Sequence, residues 1–171
     1  MRVATRRLMS SSIASAMLGL ALCTSALAAL GAGSIKPGTW HGAATATGQP
    51  NGSVQFTVSS TTTTNVVGFA GSVFGNCTLN GSTRQINISL DPTTTMAVSH
   101  KKFGFHGNFN IRNGTVVIAK HVIGKISGKF VKSKAASGTM SFSWKFDANA
   151  PTGFSGARCK TGTVSWTAAP K

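Results

Sequence analysis

The chain is short of acid. Its 171 residues hold 17 Lys plus Arg but only 2 Asp plus Glu, and no Tyr. Paired carboxylates serve glycoside hydrolysis and much general acid–base chemistry. Here the acids are Asp91, directly before Pro92, and Asp147, at the end of an alternating apolar stretch. Both placements suit turns better than a catalytic dyad. A serine nucleophile on an elbow would need Gly-x-Ser-x-Gly, which does not occur, and no glycine-rich phosphate loop leads into a helix. The histidines, His41, His100, His106 and His121, include no pair at i, i+2 or i, i+4. With carboxylates scarce too, no zinc site is expected. The sequence points to no catalytic residue, no metal and no cofactor, and the expected class is not an enzyme.

Helical periodicity is also missing; in its place is alternation. Residues 136–146 read Ala-Ser-Gly-Thr-Met-Ser-Phe-Ser-Trp-Lys-Phe. Ala136, Gly138, Met140, Phe142, Trp144 and Phe146 fall on one side of a strand, and Ser137, Thr139, Ser141, Ser143 and Lys145 on the other. The same pattern recurs on a smaller scale. Trp40, Gly42, Ala44 and Ala46 form a first inward row, and Val54, Phe56 and Val58 a second. Val67, Phe69, Gly71 and Val73 form a third that leads to Cys77, followed by Ile86, Ile88 and Leu90. Phe103, Phe105, Gly107, Phe109 and Ile111 come next, then Ile126, Gly128 and Phe130, and finally Val164, Trp166 and Ala168. Residues 115–123 are β-branched and apolar on both faces except for Lys120 and His121, which predicts a separate central strand covered on both sides.

Asn80-Gly81 and Asn113-Gly114 are hairpin signals, the second the stronger, because both residue types tolerate positive φ. Residues 61–64, four threonines, are expected as a loop, and residues 147–160 as a longer one. About nine short strands joined by sequential turns predict an all-β, antiparallel meander. A closed or partly open barrel removes exposed edges and is favoured over a β-sandwich.

The start of the chain predicts export. Arg2, Arg6 and Arg7 precede a short apolar run at residues 12–22, and Ala26-Leu27-Ala28 fits signal cleavage. The expected organisation is a signal peptide at 1–28, a linker at 29–36 and one β-domain at 37–171, secreted or periplasmic. Cys23 leaves with the signal, so Cys77 and Cys159 remain for one disulfide. Loss of the three arginines leaves 14 cations against two acids, a net charge of +12.

Several phrases together resemble a group of small secreted bacterial β-domains that lack an assigned activity. They are Pro37-Gly-Thr-Trp-His-Gly42, Val54-Gln-Phe-Thr-Val-Ser59, Ile126-Ser-Gly-Lys-Phe130, Ala136-Ser-Gly-Thr139 and Cys159-Lys-Thr-Gly-Thr-Val-Ser-Trp-Thr-Ala168. The resemblance spans most of residues 37–168 and implies export, a β-meander and a disulfide, with no catalytic residues to transfer. Gly38-Thr-Trp40 followed by an alternating strand also resembles avidin-like barrels, but the lack of Tyr removes a residue that such biotin pockets use.

The remaining functional handle is basic. Lys120, Lys125, Lys129, Lys132 and Lys134 crowd into fifteen positions, with Lys101, Lys102 and Arg112 shortly before them. They are candidates for binding anions: wall polymers, lipid headgroups or nucleic acid. Export disfavours nucleic acid, and the aromatics fall on inward rows, away from any stacking platform. The same lysines also suit a solvated face that keeps strand edges apart. Asn-x-Ser/Thr triplets start at Asn51, Asn76, Asn80, Asn87 and Asn113, and chance in a Ser/Thr-rich chain accounts for them. The leading expectation is a secreted, non-enzymatic β-domain on anionic surface material. A lipocalin-like small-ligand barrel is the first alternative, disfavoured by the many large inward rings, and an outer-membrane barrel is the second.

Overall fold

The computed structural model describes residues 34–59 and 63–171. The expected signal peptide, residues 29–33 of the linker and part of the threonine loop lie outside the described residues. Ten strands follow in order: β1 Gly38–Thr45, β2 Gly52–Val58, β3 Asn65–Leu79, β4 Ser82–Leu90, β5 Met96–Ala97, β6 Lys102–Asn113, β7 Val116–Lys132, β8 Ala135–Phe146, β9 Arg158–Lys160 and β10 Val164–Pro170. All their pairings are antiparallel.

The sheet runs β10-β1-β2-β3-β9-β8, and β10 pairs again with β8, closing a six-stranded ring. From β8 the sheet continues through β7 to β6, and from the other edge of β3 hang β4 and β5. The barrel reading therefore holds and the sandwich alternative does not.

The alternating rows account for most of the core; in β3 a bulge at Gly68, φ 58°, places Val66 inside in place of the expected Val67. In β8 the buried positions are Ala136, Met140, Phe142, Trp144 and Phe146, while Thr139, Ser143 and Lys145 are exposed. Phe56 sits at the centre of the aromatic packing. It stacks on Trp40 and Phe69, each with centroids 5.8 Å away, and Phe103 and Trp166 meet it at 5.7 and 5.9 Å. Phe103 comes from β6 and Phe56 from β2, so the β6–β7 hairpin covers the same core as the closed ring.

Inward glycines make room for these rings. A Cβ on Gly128 would lie 2.4 Å from the Phe103 ring and one on Gly75 2.4 Å from Trp144, while one on Gly138 would meet both the Ser127 carbonyl oxygen at 1.9 Å and the Trp166 ring at 2.5 Å. At Gly42 the obstacle is backbone: its Cβ would come within 1.7 Å of the Thr167 carbonyl oxygen. Glycine thus marks where neighbouring strands approach closely at a bend.

Three further expectations need correction. Residues 115–123 and 126–130 are parts of one strand, β7, with an irregularity in between. Pairing with β8 shifts between Lys120 and Ile123, and His121 takes φ 53°. The bulge exchanges the two faces of the strand. Ile118 and Ala119, adjacent and so on opposite faces, are both buried before it, while Val122 and Ile126 are buried after it on one face alone, so cover on both sides is confined to residues 118–119. Val116 and Ile123 are exposed at 47% and 55%.

The hairpin turns differ from their expected ranking. Asn80 and Gly81 both take positive φ and form a two-residue loop, as the Asn-Gly signal predicts. In the β6–β7 hairpin Asn113 pairs with Val116, so the loop is Gly114-Thr115, with positive φ only at Gly114. The third correction concerns β5 and β9, two and three residues long, which alternation over so few positions could not reveal.

The disulfide joins Cys77 of β3 to Cys159 of β9, residues directly opposite each other with Cα atoms 4.0 Å apart. It lies at the seam where the three residues of β9 complete the ring.

Candidate polyanion-binding faces

The outward rows of the barrel are hydroxylic and basic. Register aligns them across strands: Lys102 of β6 faces Lys129 of β7, which faces Ser137 of β8, which faces Thr167 of β10. The next row runs Gly104, Ser127, Thr139, Ser165 and Thr45. Ser127 Oγ and Thr139 Oγ1 hydrogen-bond across β7 and β8 at 3.0 Å. A third row sets His106 opposite Lys125 and Lys125 opposite Ser141.

The five candidate lysines separate. Lys125 and Lys129 share the outer face of β7, Lys132 and Lys134 lie at the β7–β8 turn, and Lys120 belongs to a different cluster beyond the bulge.

At the β7–β8 turn the chain gathers cations that are distant in sequence. The Lys36 backbone N–H donates to the Ser133 carbonyl at 3.1 Å, and its Nζ reaches the Lys171 carbonyl at 3.5 Å. The Lys101 carbonyl accepts from the Phe130 N–H at 2.8 Å, and Lys102 is the register partner of Lys129. One end of the barrel thus carries exposed Lys36, Lys101, Lys102, Lys129, Lys132, Lys134 and Lys171.

A second basic cluster crosses three strands. Lys120 of β7 faces Lys145 of β8, which faces Arg158 of β9, and all three are exposed. Like charges directly opposite each other in a sheet are destabilising. With two carboxylates in the whole chain, acid pairing cannot neutralise either cluster. The sequence joined none of Lys36, Lys171, Lys145 and Arg158 to a cluster; hydrogen bonds outside the strands place Lys36 and Lys171, and strand register brings Lys145 beside Lys120 and Arg158.

A shallow groove of about 510 Å³ runs over the outer rows of β7, β8 and β10. Gly128, Gly138 and Trp166 lie along its floor, Ser127, Thr139 and Thr167 beside it, and Lys102 and Lys129 at one side. A smaller cavity of about 240 Å³ lies beside the disulfide, lined by Leu79, Arg84 and Phe154 among others. Between these features the aromatic cluster fills the barrel. The indole nitrogens of Trp144 and Trp166 are buried without a hydrogen-bond partner, while Trp40 Nε1 donates to the Lys36 carbonyl at 3.0 Å.

His41, His100, His106 and His121 are all exposed. Among the described residues no three His, Cys, Asp or Glu side chains gather as a metal site would require. Asp91 caps its own turn by accepting from the Thr93 N–H at 3.1 Å. Asp147 lies just past β8, and its N–H donates to the Ile118 carbonyl at 2.9 Å. Both acids therefore lie in turns. The five Asn-x-Ser/Thr asparagines are exposed. Among the described residues no helix is long and apolar enough to cross a membrane.

Family models, curated proteins and solved structures were compared with the chain, and none matches it.

Proposed function

We propose that this is an exported, non-enzymatic β-domain that associates with anionic material at a cell surface. The observation that carries the reading is the lysine-rich barrel end, where seven exposed lysines from four separate stretches converge. A basic field of this kind raises the local concentration of polyanions and speeds their capture. Lys125 adds to it from the face of β7, and Lys120 belongs to the second cluster. A disulfide seam suits an oxidising compartment, in keeping with the export read from residues 1–28.

The ring-filled interior weighs against the lipocalin-like alternative, since the aromatic side chains occupy the space that a carried ligand would need. The outward rows weigh against a lipid-facing barrel, because Ser, Thr and Lys stand where membrane barrels present apolar side chains.

The test is salt-gradient elution from immobilised anionic cell-wall material. The domain should elute well after a neutral β-domain of the same size, and its retention should fall steeply as salt screens the charges. Co-elution with the neutral domain would remove the reading.

A further inference from the structure

The groove over β7, β8 and β10 combines three features. Its floor is backbone: Gly128 and Gly138, register partners, present no side chain outward, and the buried rings of Phe103 and Trp166 lie on their inner side. Hydroxyls line it, with Ser127 and Thr139 already fixed to each other. Cations stand on one side only, Lys102 directly opposite Lys129.

Different polyanions would use this groove differently. A nucleic acid relies on exposed aromatic side chains for stacking. Here the tryptophans are at most 5% exposed, and the phenylalanines of the central cluster are buried. A lipid surface calls for apolar side chains to insert beside the charges. Val131 is the one large apolar side chain strongly exposed at that end of β7, at 54%. An acidic polysaccharide suits all three features. The C–H face of a pyranose ring can lie on a flat apolar floor, its hydroxyls can exchange hydrogen bonds with serine and threonine, and its carboxylate can meet an ammonium group. A carboxylate–ammonium contact is also the stronger, charge-assisted kind of hydrogen bond.

We propose that the groove binds a chain of carboxylated sugars, with the carboxylate held between Lys102 and Lys129 and the sugar ring laid over the paired backbone of Gly128 and Gly138. This rests on the reading of the domain as a binder of surface polyanions, and it names the class of polymer and the site. The Lys120–Lys145–Arg158 row, a second basic cluster that does not line the groove, provides an internal control.

The experiment measures binding of polygalacturonate oligomers by titration calorimetry, with neutral dextran, dextran sulfate and phosphatidylglycerol vesicles as comparison probes. Two double variants remove the same charge from exposed positions: Lys102→Ser with Lys129→Ser, and Lys120→Ser with Lys145→Ser. Thermal melts confirm that both remain folded. A third variant, Thr139→Val, removes a groove hydroxyl and leaves the charge unchanged. The groove pair should weaken polygalacturonate binding by about tenfold or more, the scale of a lost charge-assisted contact, and the control pair by less than about threefold. Thr139→Val should weaken it measurably, and neutral dextran should not bind. Equal losses in the two double variants would overturn the groove while leaving a general polyanion binder. So would binding to vesicles or dextran sulfate without binding to polygalacturonate. Failure to bind any of the charged probes would remove both readings.

Discussion

At one end of the barrel three strands, β10, β1 and β2, separate β8 from β3; at the other, the three residues of β9 do the same work. The two ends are stabilised by different means. The first has long antiparallel ladders over stacked rings, with Phe56 meeting Trp40, Phe69 and Trp166, and Phe69 meeting Trp166. The second has a ladder too short to persist alone and a covalent bond through its middle residue, Cys159. A short strand gains little from pairing against the conformational entropy of ordering it. The disulfide offsets part of that cost by restricting the unfolded chain. The lesson is that ring burial and cross-linking can close the same sheet in different places.

Deleting a ring should have the largest effect. Phe56→Ala at the ladder end and Trp144→Ala above β9 should each destabilise by about 3–5 kcal/mol, the usual cost of removing a buried large aromatic. Phe56 is fully buried and Trp144 5% exposed. Denaturant melts with the disulfide intact measure both. A Phe56→Ala loss below about 1 kcal/mol would mean that the aromatic cluster does not hold the first end together.

Removing the cross-link comes next. Cys77→Ala with Cys159→Ala opens a loop of 82 positions, worth about 4.5 kcal/mol at most in the chain-entropy model and commonly about 2–4 kcal/mol in practice. The comparison predicts where the loss appears. Amide exchange should quicken first in β9 and the adjoining parts of β3 and β8, while β1 and β2 keep their protection. Uniform loss of protection would show that the two ends form a single cooperative unit.

A smaller change probes the seam between them. Gly75 lies under the Trp144 ring, and a Cβ there would come 2.4 Å from the indole. Gly75→Ala should cost about 1–3 kcal/mol through overpacking. Adding Trp144→Phe should recover part of that loss, because the indole N–H has no partner to sacrifice and the smaller ring leaves room. Strict additivity of the two substitutions in melts would contradict this ring-on-glycine contact.

Much of the fold was legible in the sequence because alternation is a long signal. Residues 136–146 repeat it over eleven positions, and no helix could bury their rings on one side. The cysteine pair was legible because only two of the three cysteines lie beyond the expected signal peptide, which leaves one pairing. The limits lie where signals are short or need a partner strand. His121 turns its backbone to φ 53° and exchanges the faces of β7, so a mixed apolar run looked like cover on both sides. In β9 the decisive information is its register with Cys77, which no local pattern carries. The basic clusters are a similar case. Lys125 and Lys129 could be placed on one face by their spacing, but Lys36, Lys171, Lys145 and Arg158 join the clusters only after folding.

The smallest effect concerns the charge row at the disulfide end. Lys145 stands between Lys120 and Arg158 on neighbouring strands, so each of its lateral neighbours repels it. All three side chains are exposed, which lets water screen them and keeps the penalty small. Lys145→Ala should therefore change stability by less than about 0.5 kcal/mol. Lys145→Glu goes further, replacing two repulsions by two attractions, and should stabilise by roughly 0.2–1 kcal/mol at low salt. The gain should shrink as ionic strength rises, because the pairs are solvent-exposed. Melts of the two variants at low and high salt measure it, and the sign is the informative part. If Lys145→Glu destabilised at low salt, position 145 would not face its cationic neighbours. The period-two reading of β8, which places Trp144 inside and Lys145 outside, would then be off by one residue, and every side chain of the strand would change face.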